Sequence, residues 1–356
     1  CGTESRLALT AGAWTLGVAF QALILFLPLS RIGIRYRPVW GIKGIGLRSM
    51  GPVAAWSLGI VGVDQLTSIV NTRVINSAPA VAKALLGLSE FRVAGNATYQ
   101  NAYTLYILPY SLIAVSVATA IFPKISRASA DHELDTARFD LSDALRSVGL
   151  LMCFFTVAFI VMPTPITLAL LPSISMHEAR LIAGPLVMLA ISLPMASAYL
   201  IIQRTFYAFE DGVRPFLFIL LQAGLQVIVL VIGQRFISPI HWVDLLGASI
   251  TIAYLIAFPV LVWMLRRRFG GRMDGRRILM SYAKSAIATA AALVGGLWMR
   301  IPAYALVGGL DQAQPMSRRW LGALTVCVVL TATITILYVG VLWLLRTDEL
   351  VVLMQK

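Results

Sequence analysis

Long apolar runs recur along the whole chain, and short polar connections separate them. Nine runs stand out, at 7–29, 51–75, 99–122, 148–170, 181–203, 215–232, 245–265, 278–299 and 320–345. A bilayer core about 30 Å thick is crossed by about 20 apolar residues in a helix. The runs lack period-two alternation, so they predict helices and not the strands of a barrel. The fold class expected is therefore all-α, a polytopic membrane protein of about nine transmembrane helices. The second run is the least apolar, because it contains Asp64, Asn71 and Arg73. Between the third and fourth runs, Leu134, Ala137, Leu141, Ala144 and Leu145 recur at helical spacing, with Asp135, Arg138, Asp140 and Asp143 opposite. That pattern predicts an amphipathic helix near 131–147, either lying at the membrane interface or extending the next span.

Composition agrees with the pattern. Only 13% of the 356 residues are charged, against about 25% in soluble domains, and the mean hydropathy is +0.83. A net charge of +13 could point to nucleic acid, but the basic residues cluster in the short connections, so no nucleic-acid partner is expected. Nineteen of the 29 Lys and Arg fall in 31–49, 123–147, 204–214, 266–277 and after 345. Eight (Arg6, Lys83, Arg92, Arg180, Arg235, Arg300, Arg318, Arg319) fall on the opposite side, and Arg73 and Lys284 lie within spans. The positive-inside bias puts the richer side, and with it the C-terminus, in the cytoplasm. The chain opens on Cys1 with no basic segment before the first run, which gives the expectation that earlier helices are missing. Three parts follow: 1–50, one helix and a basic loop; 51–265, a helical bundle; and 266–356, a second basic loop and two helices.

Several chemistries have no visible machinery. There is no G-x-x-x-x-G-K-[ST] phosphate loop and no G-x-S-x-G elbow. His132, His177 and His241 are scattered, and Cys153 and Cys327 sit inside apolar runs. Neither a metal site nor an enzyme is expected, and no cofactor; a coupling ion or the membrane potential is not identified by any motif.

The polar residues within spans carry more. Ser57, Asp64, Ser68 and Asn71 share one helix face. A carboxylate inside a span faces a watery cavity or a partner, so Asp64 marks either a polar path or an interhelical hydrogen bond. Arg73 lies on the opposite face and near the span's end, where it can snorkel or meet substrate. Tyr99, Tyr103, Tyr106 and Tyr110 form one stripe, flanked by Gln100 and Thr104; such rings suit sugars and amphipathic head groups, or plain packing. Pro109 should kink this span. Lys284 reads as a structural charge near a span end, beside a run of small residues from Ala283 to Ala291. Arg204, Glu210 and Asp211 form a charged turn that could latch the cytoplasmic end or remain a solvated loop. From these residues alone the reading is an alternating-access transporter or flippase with a polar cavity between the second and third spans.

Three stretches resemble the MurJ (MviN) family of lipid II flippases, in the multidrug/oligosaccharidyl-lipid/polysaccharide exporter superfamily. They are the basic loop 31–49 running to Met50-Gly51-Pro52 with Ile69-Val70-Asn71-Thr72; Tyr103 to Pro109 running on to Ala118 to Arg127; and Arg204-Thr-Phe-Tyr-Ala-Phe-Glu-Asp211 with Pro215. The resemblance implies a fourteen-helix fold of which this chain is the second lobe plus one helix. It implies translocation of undecaprenyl-pyrophosphate-linked disaccharide-pentapeptide across the bacterial cytoplasmic membrane for cell-wall synthesis, with membrane lipids and cell-wall synthesis proteins as partners. Thr104 stands where many relatives carry a basic residue, so a phosphate contact would come from Arg73 or from the absent lobe. The rival readings are another polysaccharide-lipid flippase, a cation-coupled drug antiporter, and a non-transporting scaffold.

Overall fold

The computed structural model describes residues 2–31, 47–271, 273–310 and 314–347, and among them every regular element is helical. Eight helical runs are long and apolar enough to cross a membrane, and Ala11–Ile24 is a shorter apolar helix. This is the all-α, polytopic architecture expected from the pattern. The chain divides into two compact units, Cys1–Met50 and Gly51–Lys356. In the first, α1 (Gly2–Ile24) and α2 (Phe26–Arg31) are separated by a one-residue break at Leu25. Most of the basic loop 31–49 lies outside the described residues.

The second unit holds α3 (Leu47–Leu86, from Gly51 onward) and the remaining spans. The third span is α4 (Asn96–Pro109), a π turn (Tyr110–Val115) and α5 (Ser116–Ala130). Where a kink is expected at Pro109, the helix passes into this π turn. The proline ring has no N–H to give the carbonyl four residues back, and the helix widens into a π turn just after it. The amphipathic segment 134–147 is not a separate helix: it is the first half of α6 (Leu134–Val161), so the extension reading describes its course. Its apolar face packs into the protein, with Ala137, Leu141, Ala144 and Leu145 all buried. The fourth apolar run breaks at Met162, and Pro163 opens α7 (Pro163–Leu170).

The next span, α8 (Met176–Ala190) and α9 (Leu193–Ala208), is interrupted at Ile191–Ser192 with Pro194 at the start of α9. A break within an apolar helical run leaves carbonyls without intrahelical partners. Here hydroxyls from three elements satisfy them. Thr251 donates to the Met188 carbonyl at 2.6 Å, Ser192 to Leu189 at 2.7 Å, and Thr156 to Ala190 at 2.9 Å. Helix α10 (Val213–Gly233), α11 (Trp242–Arg268), α12 (Gly275–Leu306) and α13 (Met316–Leu344) complete the unit.

Two packed bodies share α6. One core gathers α4 to α6 with α8 to α11 around Leu105, Ile125, Leu141, Leu186, Phe206 and Phe218. The other joins α6 to α12 and α13 around Val157, Val161, Ala288, Ala292, Leu330 and Ile334. Lys284 has the structural role expected of it, since its ammonium donates to the Arg346 carbonyl at 3.1 Å, just beyond the C-terminal end of α13. A cation there also complements the helix dipole.

Candidate functional site

A polar cleft of about 260 Å³ opens between α3, α4, α8, α9, α10 and α11. Helix α3 contributes Asp64, Thr67, Ser68 and Asn71. They fall at steps of three and four residues, which places all four side chains on one face. Helix α4 and the π turn contribute Tyr103, Tyr106 and Tyr110; α10 contributes Gln222 and Gln226; and α11 contributes Tyr254. Leu189 and Ala196 close the wall on either side of the α8–α9 break.

Hydrogen bonds fix much of this wall. The Gln226 amide donates to Asn71 Oδ1 at 3.2 Å, and the Gln222 amide donates to Gln226 Oε1 at 3.4 Å. The Tyr106 hydroxyl is 3.3 Å from Ser192 Oγ, tying α4 to the α8–α9 break. The rings of Tyr99 and Tyr103 stack with centroids 6.1 Å apart, and those of Tyr103 and Tyr106 lie 5.9 Å apart. Tyr106 is buried, whereas Tyr103 is 39% exposed and offers its ring to the cleft.

The residues expected from the sequence separate into two groups. Asp64, Ser68, Asn71, Tyr103 and Tyr106 line the cleft together. Arg73, Gln100 and Thr104 do not line it: all three are exposed, and the Thr104 hydroxyl turns back to the Gln100 carbonyl at 2.8 Å. Ser57 likewise bonds its own helix, at the Val53 carbonyl. The sequence reading missed Thr67, Gln222, Gln226 and Tyr254, while Tyr110 belongs to the tyrosine stripe it drew. Thr67 shares the face already drawn through Asp64. Gln222 and Gln226 are two amides one turn apart in an apolar span, the same signal that singled out Asp64.

The charged turn takes a different pairing from the one expected. Asp211 pairs with Arg214, through both the guanidinium and, at 3.2 Å, the backbone N–H, and not with Arg204. Glu210 is exposed and sits at φ 56°. Arg204 is exposed as well. What joins this turn to the end of α11 is aromatic: Phe209 meets Phe269 edge-on at 5.6 Å, and the Arg268 guanidinium lies 4.6 Å from the Phe209 ring centre. Beyond it Gly270 and Gly271, at φ 62° and 82°, close the end of α11 in a conformation that favours glycine.

No groups of three or more His, Cys, Asp or Glu that could hold a metal occur among the described residues. The arrangement offers hydrogen-bonding groups, ring faces and one carboxylate, within a bundle of membrane-spanning helices. Residues 2–309 match the lipid II flippase MurJ family. The chain belongs to that family. A solved structure of the lipid II flippase MurJ, in an inward closed conformation, resembles it with a TM-score of 0.57 at 19% identity. The match covers 92% of this chain and 62% of that one, so the chain spans about three fifths of that MurJ's length. At that identity the likeness speaks for the fold. The MurJ family assignment and the helical architecture agree on a multi-span membrane protein.

Proposed function

We propose that the chain forms the second-lobe part of a flippase that carries lipid II, the undecaprenyl-pyrophosphate-linked disaccharide-pentapeptide, across the bacterial cytoplasmic membrane. The observation that supports this most is the polar, aromatic cleft set within a MurJ-family bundle. A large polar head cannot cross hydrocarbon without replacement of its water. Hydroxyls and amides between helices supply that replacement while the lipid tail stays in the bilayer. A cleft walled by Asp64, Asn71, Gln222 and Gln226 does not suit a purely apolar drug. In this reading the C-terminus and the loop 266–277 face the cytoplasm, and the charged turn at Arg204, Glu210 and Asp211 lies on the same side, where it gates the cleft.

The test is binding and translocation of the undecaprenyl-linked precursor by the full-length protein in vesicles. Tyr103→Ala should weaken both, because Tyr103 presents its ring to the cleft. Tight binding of small hydrophobic cations, with no response to the precursor, would move the assignment to the drug-antiporter branch. Orientation is checked separately. A cysteine introduced by Gly271→Cys should resist an impermeant thiol reagent in intact cells, and ready labelling would invert the topology.

A further inference from the structure

Two neighbouring spans are interrupted, and the interruptions fall side by side. In one span Pro109 is followed by the π turn Tyr110–Val115. In the other, α8 ends at Ala190 and α9 begins at Leu193, with Pro194 in its first turn. On one side of this level α4 packs on α8; on the other side α5 packs on α9, and the π turn lies against α9 as well. Helices α6 and α11 run past unbroken, and each lends one hydroxyl to the break, from Thr156 and Thr251. The π turn uses hydroxyls in the same way: Ser111 donates to the Leu108 carbonyl at 3.0 Å and Ser116 to Leu112 at 2.6 Å. Carbonyls held by side-chain hydroxyls let a helix change its bend and stay hydrogen-bonded. π turns within helices frequently occur at functional sites.

The cleft reaches across both interruptions. Tyr106 and Tyr110 line it from either side of Pro109, and Leu189 and Ala196 from either side of the α8–α9 break. A ligand that fills it touches both halves. One bond joins the two interruptions directly, between the Tyr106 hydroxyl and Ser192 Oγ at 3.3 Å. Ser192 has a single O–H, and gives it to the Leu189 carbonyl at 2.7 Å. Tyr106 is then the donor, and its only hydroxyl proton is committed to Ser192. A ligand acceptor that takes this proton releases Ser192. A ligand moves a conformational equilibrium only through such a difference in bonding between the two states.

We infer that the π turn and the α8–α9 break form one paired hinge, and that Tyr106 couples its bend to occupancy of the cleft through Ser192. Ser192 is fully buried and outside the lining, so it is a positioning residue. The inference rests on the flippase reading and adds to it how an occupied site moves the bundle.

The test uses the full-length protein in nanodiscs, in a cysteine-free background, with the undecaprenyl-linked precursor as ligand. Spin labels at Ala97 and Ala130, near the start of α4 and at the end of α5, straddle the hinge. Labels at Ala97 and His177 both lie on the α4–α8 half and serve as the reference pair. Saturating precursor should shift the distance between the first pair and leave the second unchanged. Ser192→Ala should remove that shift and lower translocation about fivefold, the weight of one hydrogen bond, while the precursor's Kd changes less than about twofold. Tyr106→Phe breaks the same bond from the other end and keeps the ring, so it should also remove the shift at saturating precursor; it carries the test if Ser192→Ala folds poorly. If both variants keep the shift and the transport rate, or if Ser192→Ala loses binding in step with transport, the coupling is overturned. If wild type binds the precursor and the first pair does not respond, or both pairs respond alike, the hinge is overturned and the flippase reading stands. If wild type does not bind the precursor, the flippase reading falls, and this inference falls with it.

Discussion

Helix α3 and the α12–α13 pair are both long apolar helices, yet they are attached to the bundle by different means. The pair buries a narrow stripe of small and aliphatic residues against α6. Ser285, Ala288, Ala292 and Gly296 on α12 meet Leu330, Ile334 and Tyr338 on α13, and the Tyr338 hydroxyl donates to the Leu150 carbonyl at 2.7 Å. Helix α3 buries Ile60 in its first half, and in its second half Val74 and Ile75 pack beside Leu230, Val243, Leu245 and Leu246. It also touches α10 through the Asn71–Gln226 bond and through the Trp56 and Phe216 rings, 5.0 Å apart. In lipid, apolar side chains gain little by leaving hydrocarbon for protein, so helices are held by close packing and by hydrogen bonds. Close packing is lost steeply with separation. An amide bond beside a watery cleft can be exchanged for bonds to water or ligand at small cost. The difference makes the cleft-lining stretch of α3 the wall held more by polar bonds, and α12–α13 the side held more by close packing.

The largest effect should come from the α3 wall, on function. Asp64→Ala is expected to abolish complementation of a flippase-depleted strain with protein levels near normal. Growth supported by Asp64→Leu would make the residue a passive polar contact and remove the functional half of the contrast. On the α12–α13 side the effect should be on stability. A Cβ at Gly296 would stand 3.0 Å and 3.1 Å from the two methyls of Val161 and 3.2 Å from Ile334. Overpacking of this kind costs about 1–3 kcal/mol, so Gly296→Val should lower the thermal midpoint in detergent by several degrees. An unchanged midpoint would mean that the joint is no tighter than the α3 wall. Asn71→Leu reverses the roles: it removes one interhelical bond, worth about 0.6 kcal/mol on average in a membrane. Its midpoint should therefore barely shift, while precursor transport falls.

The fold was legible because it rests on hydropathy and length, which are local properties. The spans and the irregular turn after Pro109 follow from residues within one or two turns of each other, whereas the partner of Lys284, the Arg346 carbonyl, lies 62 positions away. The cleft was legible only in part. Spacing on a single helix joined Asp64, Ser68 and Asn71, and joined Tyr103 to Tyr106. It could not show that α10 brings Gln226 to Asn71, a contact between residues 155 positions apart. Nor could it show that Thr104 spends its hydroxyl on its own helix. The continuity of α6 was hidden for a different reason: an amphipathic face reads alike whether membrane interface or protein core covers it.

The smallest effect concerns the turn between α9 and α10, where two roles of one carboxylate can be separated. Asp211 accepts the Arg214 backbone N–H, which is one of the unpaired donors in the first turn of α10, and also pairs with the Arg214 guanidinium. The ion pair is partly open to solvent, with Arg214 at 34% and Asp211 at 16% exposure, and such pairs contribute about 0–1 kcal/mol. A helix-capping oxygen contributes typically about 1 kcal/mol. Asp211→Asn keeps an acceptor for the backbone and loses the charge, so it should cost less than Asp211→Ala, which loses both. Only the charged pair is screened by salt. The gap between wild type and Asp211→Asn should therefore shrink on going from low to high ionic strength, while the gap between Asn and Ala at this position should not. Equal losses in Asp211→Asn and Asp211→Ala would assign the turn to the ion pair alone. In that case reversing Asp211 and Arg214 together should restore what either single reversal removes.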